Sequence, residues 1–282
     1  MRSPTANGGN EDGGASAMTT LLRLVPQVVL ALPLYLLLAA LGIVSLAWNF
    51  CAMLLYPLMP AEPGQALGRR VIAGAYRMFW ASASAIGLMR IDAGCLDALR
   101  DERCLILAAN HPTMLDALLL VARLPRSACI MKADLMRNVF LGAGARLARY
   151  IRNDSARTMV RLAVEDLKNG GQLVIFPEGT RTVSPPLNRF RPGVTLIAKL
   201  ARAPIQTVFI DTDTPYLGKG WPLWRVPPLP MVFTLRLGER FAPAQDSDAL
   251  LAQMENYFRQ SMEQPAPAAQ SECQTHRAHT LS

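Results

Sequence analysis

Two of the three histidines in the 282-residue chain, His276 and His279, lie in a polar C-terminal stretch. The third, His111, sits in the run Asn110-His111-Pro112-Thr113-Met114-Leu115-Asp116. Histidine is the side chain whose ordinary pKa, about 6.5, suits proton acceptance near neutral pH, which makes His111 the candidate base. The chemistry it fits is attack by an alcohol on an acyl thioester. A hydroxyl ionises unaided only near a pKa of about 16, so a base must take its proton as the oxygen attacks. The same imidazole can then protonate the departing thiolate. A carboxylate that accepts the N–H of the other ring nitrogen fixes the tautomer and stabilises the imidazolium. Asp116 is placed to be that carboxylate.

Five residues on a regular helix turn through ~500°, leaving such a pair ~140° apart on different faces. The two meet if His111 precedes a helix and Asp116 falls in its first turn. The flanking sequence favours this. Residues 104–109 form an apolar run that predicts a buried strand, Pro112 suits a helix start, and residues 117–122 continue as helix. The nucleophile is then the acceptor's own hydroxyl, with no acyl-enzyme intermediate. Taken alone, the pair is better read as a helix cap; a second block reverses that.

The second block is Phe176-Pro177-Glu178-Gly179-Thr180-Arg181, which follows an apolar run at 172–176. That run predicts a strand ending at Pro177. Gly179 suits a turn that needs positive φ or a close backbone approach. Arg181 presents a planar, permanently charged fork matched to phosphate oxygens. Glu178 would repel a phosphate, so its expected task is to accept a hydrogen bond from an acceptor hydroxyl or from Arg181.

An N-H-x-x-x-x-D run followed about sixty residues later by F-P-E-G-T-R resembles the glycerolipid acyltransferase family, and the resemblance spans residues 70–240. It implies that His111 and Asp116 carry the catalysis. It also implies that Glu178, Gly179, Thr180 and Arg181 receive the acceptor, a lysophospholipid such as lysophosphatidic acid. The implied co-substrate is acyl-CoA or acyl-carrier protein, with no cofactor and no metal. Two departures bear on the acceptor. Many members carry an apolar pair followed by Asp-Arg, whose arginine also holds the acceptor's phosphate; here the segment is Tyr150-Ile151-Arg152-Asn153-Asp154. Arg152 or Arg157 takes that role, or the acceptor lacks a phosphate. A segment that usually contains two prolines reads Ala203-Pro204-Ile205-Gln206-Thr207-Val208. Residues 218–233, with Trp221, Trp224 and four prolines, resemble a divergent bacterial subgroup. Two further readings stay open: a non-catalytic homologue that binds lipid or a carrier protein, and an acyltransferase for a non-phosphorylated specialised lipid.

The elements that must position these residues alternate. Apolar runs at 104–108, 128–131, 173–176, 205–210 and 232–237 predict strands. Helical spacing covers 133–148, 155–169 and 246–262, with Ser155 as an N-cap and Gly170-Gly171 as a C-cap signature. This predicts an α/β fold with a mixed, largely parallel sheet flanked by helices. Both blocks begin where strands end, the edge at which open α/β sheets bind ligands.

Around this domain, at 61–263, the chain divides further. Residues 1–24 are expected to be disordered and 264–282 to form a flexible polar tail. From Val25 to Met59 there is no charged residue, a stretch longer than the roughly 20 residues that cross a bilayer. Residues 25–60 are therefore expected to form a membrane-embedded helix, or a helical hairpin bent near Pro33 or Asn49. A signal peptide fits this segment poorly, since its apolar region runs only about 7–15 residues. Arg69, Arg70 and Arg77 follow the segment and Arg2 and Arg23 precede it, a bias that favours a cytosolic catalytic domain on a bacterial cytoplasmic membrane.

Five cysteines, Cys51, Cys95, Cys104, Cys129 and Cys273, are odd in number and lack a C-x-x-C pair, which predicts reduced thiols rather than disulfides or a zinc site. The net charge is +8, and 25 of the 29 basic residues are arginine. Arg137, Arg146, Arg149, Arg152, Arg157 and Arg161 crowd between the two blocks. Such a face would attract anionic lipid head groups, a carrier protein or the phosphates of coenzyme A. Nucleic acid is excluded as a partner because no recognition motif accompanies the charge. A two-metal phosphohydrolase fails on ligands, with one core histidine available.

Overall fold

The apolar run after Cys104 has no polar face, and a strand of that kind is usable only where helices cover both sides of a sheet. In the computed structural model, which describes residues 12–263, this run is β2 (Leu105–Ala109), buried at every position. Before it come α1 (Asp12–Leu55), α2 (Ala61–Ala85) and β1 (Met89–Asp92). After it come α3 (Asp116–Arg123), β3 (Ser127–Lys132), α4 (Gly142–Leu147), β4 (Ile151–Asn153), α5 (Ala156–Lys168) and β5 (Gln172–Ile175). The domain closes with α6 (Gly193–Ala201), β6 (Ile205–Thr212), β7 (Met231–Phe241) and α7 (Ser247–Glu263).

The seven strands form one sheet in the order β1-β7-β6-β2-β5-β3-β4. Every neighbouring pair is parallel except β6 with β7. The sheet is thus mixed, largely parallel and flanked by helices. Alternation along β2 sets the two cores. Leu105, Leu107 and Ala109 face the layer that holds α2, α3 and Leu34 of α1. Ile106 and Ala108 face α5, α6 and α7. Since β2, β3, β4, β5 and β6 run in one direction, their carboxyl ends share one edge, where both sequence blocks emerge.

Local rules hold well for α5. Ser155 caps it by accepting the Thr158 N–H on its hydroxyl at 3.2 Å, and Gly170 beyond its end takes φ +81°. They fail for 133–148, expected as one helix. That stretch is a short 3₁₀ turn at Ala133–Arg137, then a break, then α4. Asn138 causes the break: its side chain turns back to accept the Phe140 N–H at 2.8 Å, competing with the helical ladder.

The apolar segment also departs from expectation. α1 runs unbroken past Pro33 and Asn49 to Leu55, and the chain reverses only at residues 56–60 to enter α2. Asn49 does not bend the helix. It docks it: Oδ1 accepts the Gly144 N–H at 2.9 Å, and Nδ2 donates to the carbonyls of Ser45 and Phe140. Residues 12–24, expected to be disordered, belong to α1. Residues 1–11 and 264–282, including Cys273, His276 and His279, lie outside the described residues. Among the described residues, Ala31–Leu55 is long and apolar enough to cross a membrane, with 25 residues in the span.

Two contacts seat α2. A Cβ on Gly68 would lie 2.7 Å from the Ala148 nitrogen, so only glycine lets α2 approach the end of α4 this closely. At the next position, Arg69 pairs with Asp166 of α5 at 2.6 Å, with both side chains buried.

Candidate active site

The site begins where β2 ends. Asn110 extends the sheet with its side chain, donating from Nδ2 to the Ile210 carbonyl at 2.9 Å and accepting the Ile210 N–H on Oδ1 at 2.7 Å. This pins the chain as it leaves the strand. His111 and Pro112 form a loop, and α3 opens at Asp116, as the spacing requires. His111 Nδ1 lies 2.9 Å from Asp116 Oδ2. A carboxylate can only accept, so Nδ1 carries the proton and Nε2 keeps the lone pair.

Asp116 is fully buried, with three donors around it. Besides His111, the Thr113 N–H donates to Oδ2 at 2.8 Å and the Thr113 hydroxyl to Oδ1 at 2.6 Å. Burial pushes the Asp116 carboxyl above its ordinary pKa, and the hydrogen bonds from His111 and Thr113 oppose that rise. The His111 ring is held from the side as well. It stacks on Phe176, with ring centroids 3.8 Å apart and planes 14° from parallel.

Phe176 leads into the second block, and because β2 and β5 are neighbouring parallel strands, the loops leaving them lie side by side. Glu178 joins them. Its buried carboxylate accepts the His111 N–H at 3.1 Å, the Thr182 hydroxyl at 2.8 Å and the Asn188 N–H at 2.9 Å. The Thr182 N–H in turn donates to the His111 carbonyl at 2.8 Å. Arg181, one of the two partners expected for Glu178, is not among these donors. A desolvated carboxylate needs donors on both oxygens, and the adjacent loops supply them. Gly179 takes φ +69°, and a Cβ there would sit 2.6 Å from Arg191 Nε. Thr180 is half-buried in the same turn.

Arg181 reaches the other way. Its Nη1 donates to the carbonyls of Leu217 and Gly218 at 2.8 and 3.0 Å, and the Met114 N–H also donates to the Leu217 carbonyl at 3.1 Å. The segment after β6 is thereby closed over residues 112–114. Nε and Nη2 of Arg181 make no hydrogen bond among the described residues.

Arg152 is not brought to this cluster. It lies exposed on β4, paired with Asp154 at 3.0 Å, on the rim of a cavity of about 340 Å³ that also holds Tyr56, Arg146 and Arg149. The strand order explains it, since β3 separates β4 from β5. Arg157, the other candidate, is exposed in the first turn of α5. Thr113, Thr182, Asn188 and Leu217 were not singled out from sequence. Thr113, three residues before Asp116, carried a local signal; the others are joined to the site only by distant contacts.

Fold and site together define the class: an α/β protein with an imidazole–carboxylate pair at the end of one central strand and an arginine-bearing turn at the end of the next. Residues 90–211 match the Acyltransferase family model, a region that contains both blocks. Over 137 residues the chain is 25% identical to a Caenorhabditis elegans protein named 1-acyl-sn-glycerol-3-phosphate acyltransferase acl-1, covering 46% of this chain and 52% of that protein. The chain therefore spans about half the length of that curated relative. The crystal structure of PlsC from Thermotoga maritima, a 1-acyl-sn-glycerophosphate (LPA) acyltransferase, shares the fold with a TM-score of 0.63 at 21% identity, covering 86% of this chain and 100% of that one.

Proposed function

We propose that the protein is a membrane-bound O-acyltransferase that moves a fatty acyl group from an acyl thioester to a hydroxyl of a lysophospholipid such as lysophosphatidic acid. The donor is acyl-CoA or an acyl-carrier protein. The observation that carries the reading is the 2.9 Å His111–Asp116 pair, whose histidine backbone is tied through Glu178 to the arginine-bearing turn. His111 Nε2 takes the hydroxyl proton as that oxygen bonds to the thioester carbonyl carbon. The C–S bond then breaks, and the proton on Nε2 passes to the thiolate. Asp116 stays ionised and stabilises the imidazolium between the two transfers.

Arg181 is oriented by its two carbonyl contacts, which leaves Nε and Nη2 to face a phosphate on the acceptor. Membrane attachment is proposed through α1, whose Leu32, Leu36, Ile43 and Phe50 are exposed, with the catalytic domain on the cytosolic side. The placement of Arg152 away from the cluster favours a second reading, in which the acceptor is a lysolipid without a phosphate.

The test is incubation of the purified protein with mixed acyl thioesters and a panel of phosphorylated and neutral lysolipids, with products identified by mass spectrometry. A single acylated product is expected. His111→Ala should lower its formation by about 10²–10⁴-fold while fold and membrane association persist. Undiminished turnover in that variant overturns the reading. Lipid or carrier binding without turnover by the wild type identifies a non-catalytic homologue instead.

A further inference from the structure

The basic residues between the two blocks do not share one environment. Arg146, Arg149 and Arg152 line the cavity at the sheet edge, whereas Arg157, Arg161 and Lys168 project from α5. Beside the second group runs an apolar groove between α5 and α6. Its floor is Val160, Val164, Leu196 and Leu200, and the two leucines are 40% and 48% exposed. An ordinary solvated helix face would not hold four aliphatic side chains in a line beside a row of cations. The charge beside it is poorly neutralised. Arg161 meets Glu165 only at 3.7 Å, with both side chains more than half exposed, and Arg157 and Lys168 form no ion pair among the described residues.

We propose that this groove docks an acidic amphipathic helix of a protein that presents the acyl group as a thioester. The inference rests on the acyltransferase reading and decides between its two donors. Three observations converge on this occupant. The apolar floor and basic rim complement a helix with one aliphatic stripe and flanking carboxylates. In free acyl-CoA the aliphatic chain and the phosphates extend from opposite sides of the thioester, so with that thioester at His111 they cannot together cover the floor and the rim. The groove also belongs to the layer containing α5, α6 and α7, across the sheet from α1 and its exposed apolar surface. A bilayer that takes up α1 therefore leaves this face to the aqueous side. Finally, α5 starts directly after the carboxyl end of β4, and α6 starts after the turn that carries Arg181. The groove accordingly opens at the edge where His111 lies, and a flexible thioester arm can bend over that edge.

The test uses the full-length protein in lipid nanodiscs and a fluorescently labelled bacterial holo-acyl-carrier protein as the probe. Anisotropy should report binding that weakens steeply as salt rises. Arg161→Glu/Lys168→Glu should raise Kd more than tenfold, and Leu196→Ser/Leu200→Ser should raise it several-fold, with circular dichroism unchanged. The charge-reversal variant should lose transfer from the acyl-carrier protein and keep transfer from acyl-CoA. No binding by the wild type at low salt overturns the proposal, as does wild-type affinity in the charge-reversal variant. The two readings fail separately. Charge-sensitive carrier binding without transfer from either donor sinks the enzymatic reading and leaves the docking surface standing. Transfer from acyl-CoA with no carrier binding does the reverse.

Discussion

Thr113 gives Asp116 two of its three hydrogen bonds, one from the backbone and one from the hydroxyl. Thr113→Val keeps the first and removes the second. A hydrogen bond to a charged group contributes roughly 1.5–3 kcal/mol, and about 1.4 kcal/mol is a factor of ten in rate. The turnover of Thr113→Val should accordingly fall about tenfold with the Michaelis constant little changed. An unaltered turnover number would restrict the hydroxyl to a structural part. The buried carboxyl also marks stability against pH. Well below pH ~4 Asp116 is neutral whether the chain is folded or unfolded. As pH rises from there, the unfolded chain releases the proton first, because burial holds the folded carboxyl above its ordinary value. Stability is lost across that window and the cost persists above it. In a His111→Gln background, which removes imidazole titration, Asp116→Asn should therefore gain in Tm over Asp116 as pH rises above about 4. The opposite slope would mean that the Thr113 donors outweigh burial.

Arg69 illustrates what elements decide. In sequence it belongs to the positive residues that follow the apolar segment. In the fold it is buried, donating to Asp166 Oδ1 at 2.6 Å, to the Ala148 carbonyl at 3.0 Å and to the Arg126 carbonyl at 2.7 Å. It therefore fastens α2 to α4, α5 and the turn before β3, and does not act as a surface charge beside a bilayer. Arg69→Leu leaves the buried Asp166 carboxylate without its cation, with only the Gln65 amide beside it, at 2.8 Å. Breaking one side of such a pair costs about 3–5 kcal/mol. Denaturant unfolding should show a loss of that order, and Arg69→Leu/Asp166→Leu should recover much of it. A loss under about 1 kcal/mol would place the pair among surface ion pairs in effect. Asn49 acts in the same way, joining α1 to α4 through contacts 91 and 95 residues apart in sequence.

At the scale of the whole molecule, residues 31–55 of α1 lie with one side against the domain and the other bare. Leu34 is fully buried, whereas Ile43 and Phe50 are 69% and 62% exposed. Burying a large aliphatic or aromatic side chain is worth about 1.5–3 kcal/mol, and a glutamate in its place within a bilayer is unfavourable. Ile43→Glu/Phe50→Glu should therefore shift the protein out of the floating fraction in vesicle flotation, with its circular dichroism preserved. Persistent flotation would mean that this side of α1 does not meet lipid. On the other layer, the basic groove of α5 and α6 is left to water. One sheet thus separates an apolar surface from a charged one, with His111 at the edge both layers share.

The amino-acid sequence by itself determined the features that depend on near neighbours. Residue types and a five-residue spacing placed His111 in a loop and Asp116 in the first turn of a helix. Apolar runs of strand length located β2, β3, β5, β6 and most of β7, and Ser155 and Gly170 bounded α5. These follow from backbone dihedrals and side-chain periodicity, which act over a few residues. The tertiary structure alone decided which distant groups satisfy a buried charge. It gave Glu178 to His111, 67 residues away, and Arg181 to the carbonyl of Leu217, 36 residues away. It also inserted β3 between β5 and β4, which sets Arg152 further along the shared edge from His111 and Arg181. Strand order and the pairing of buried polar groups are set by desolvation across the whole core, and no local pattern encodes them.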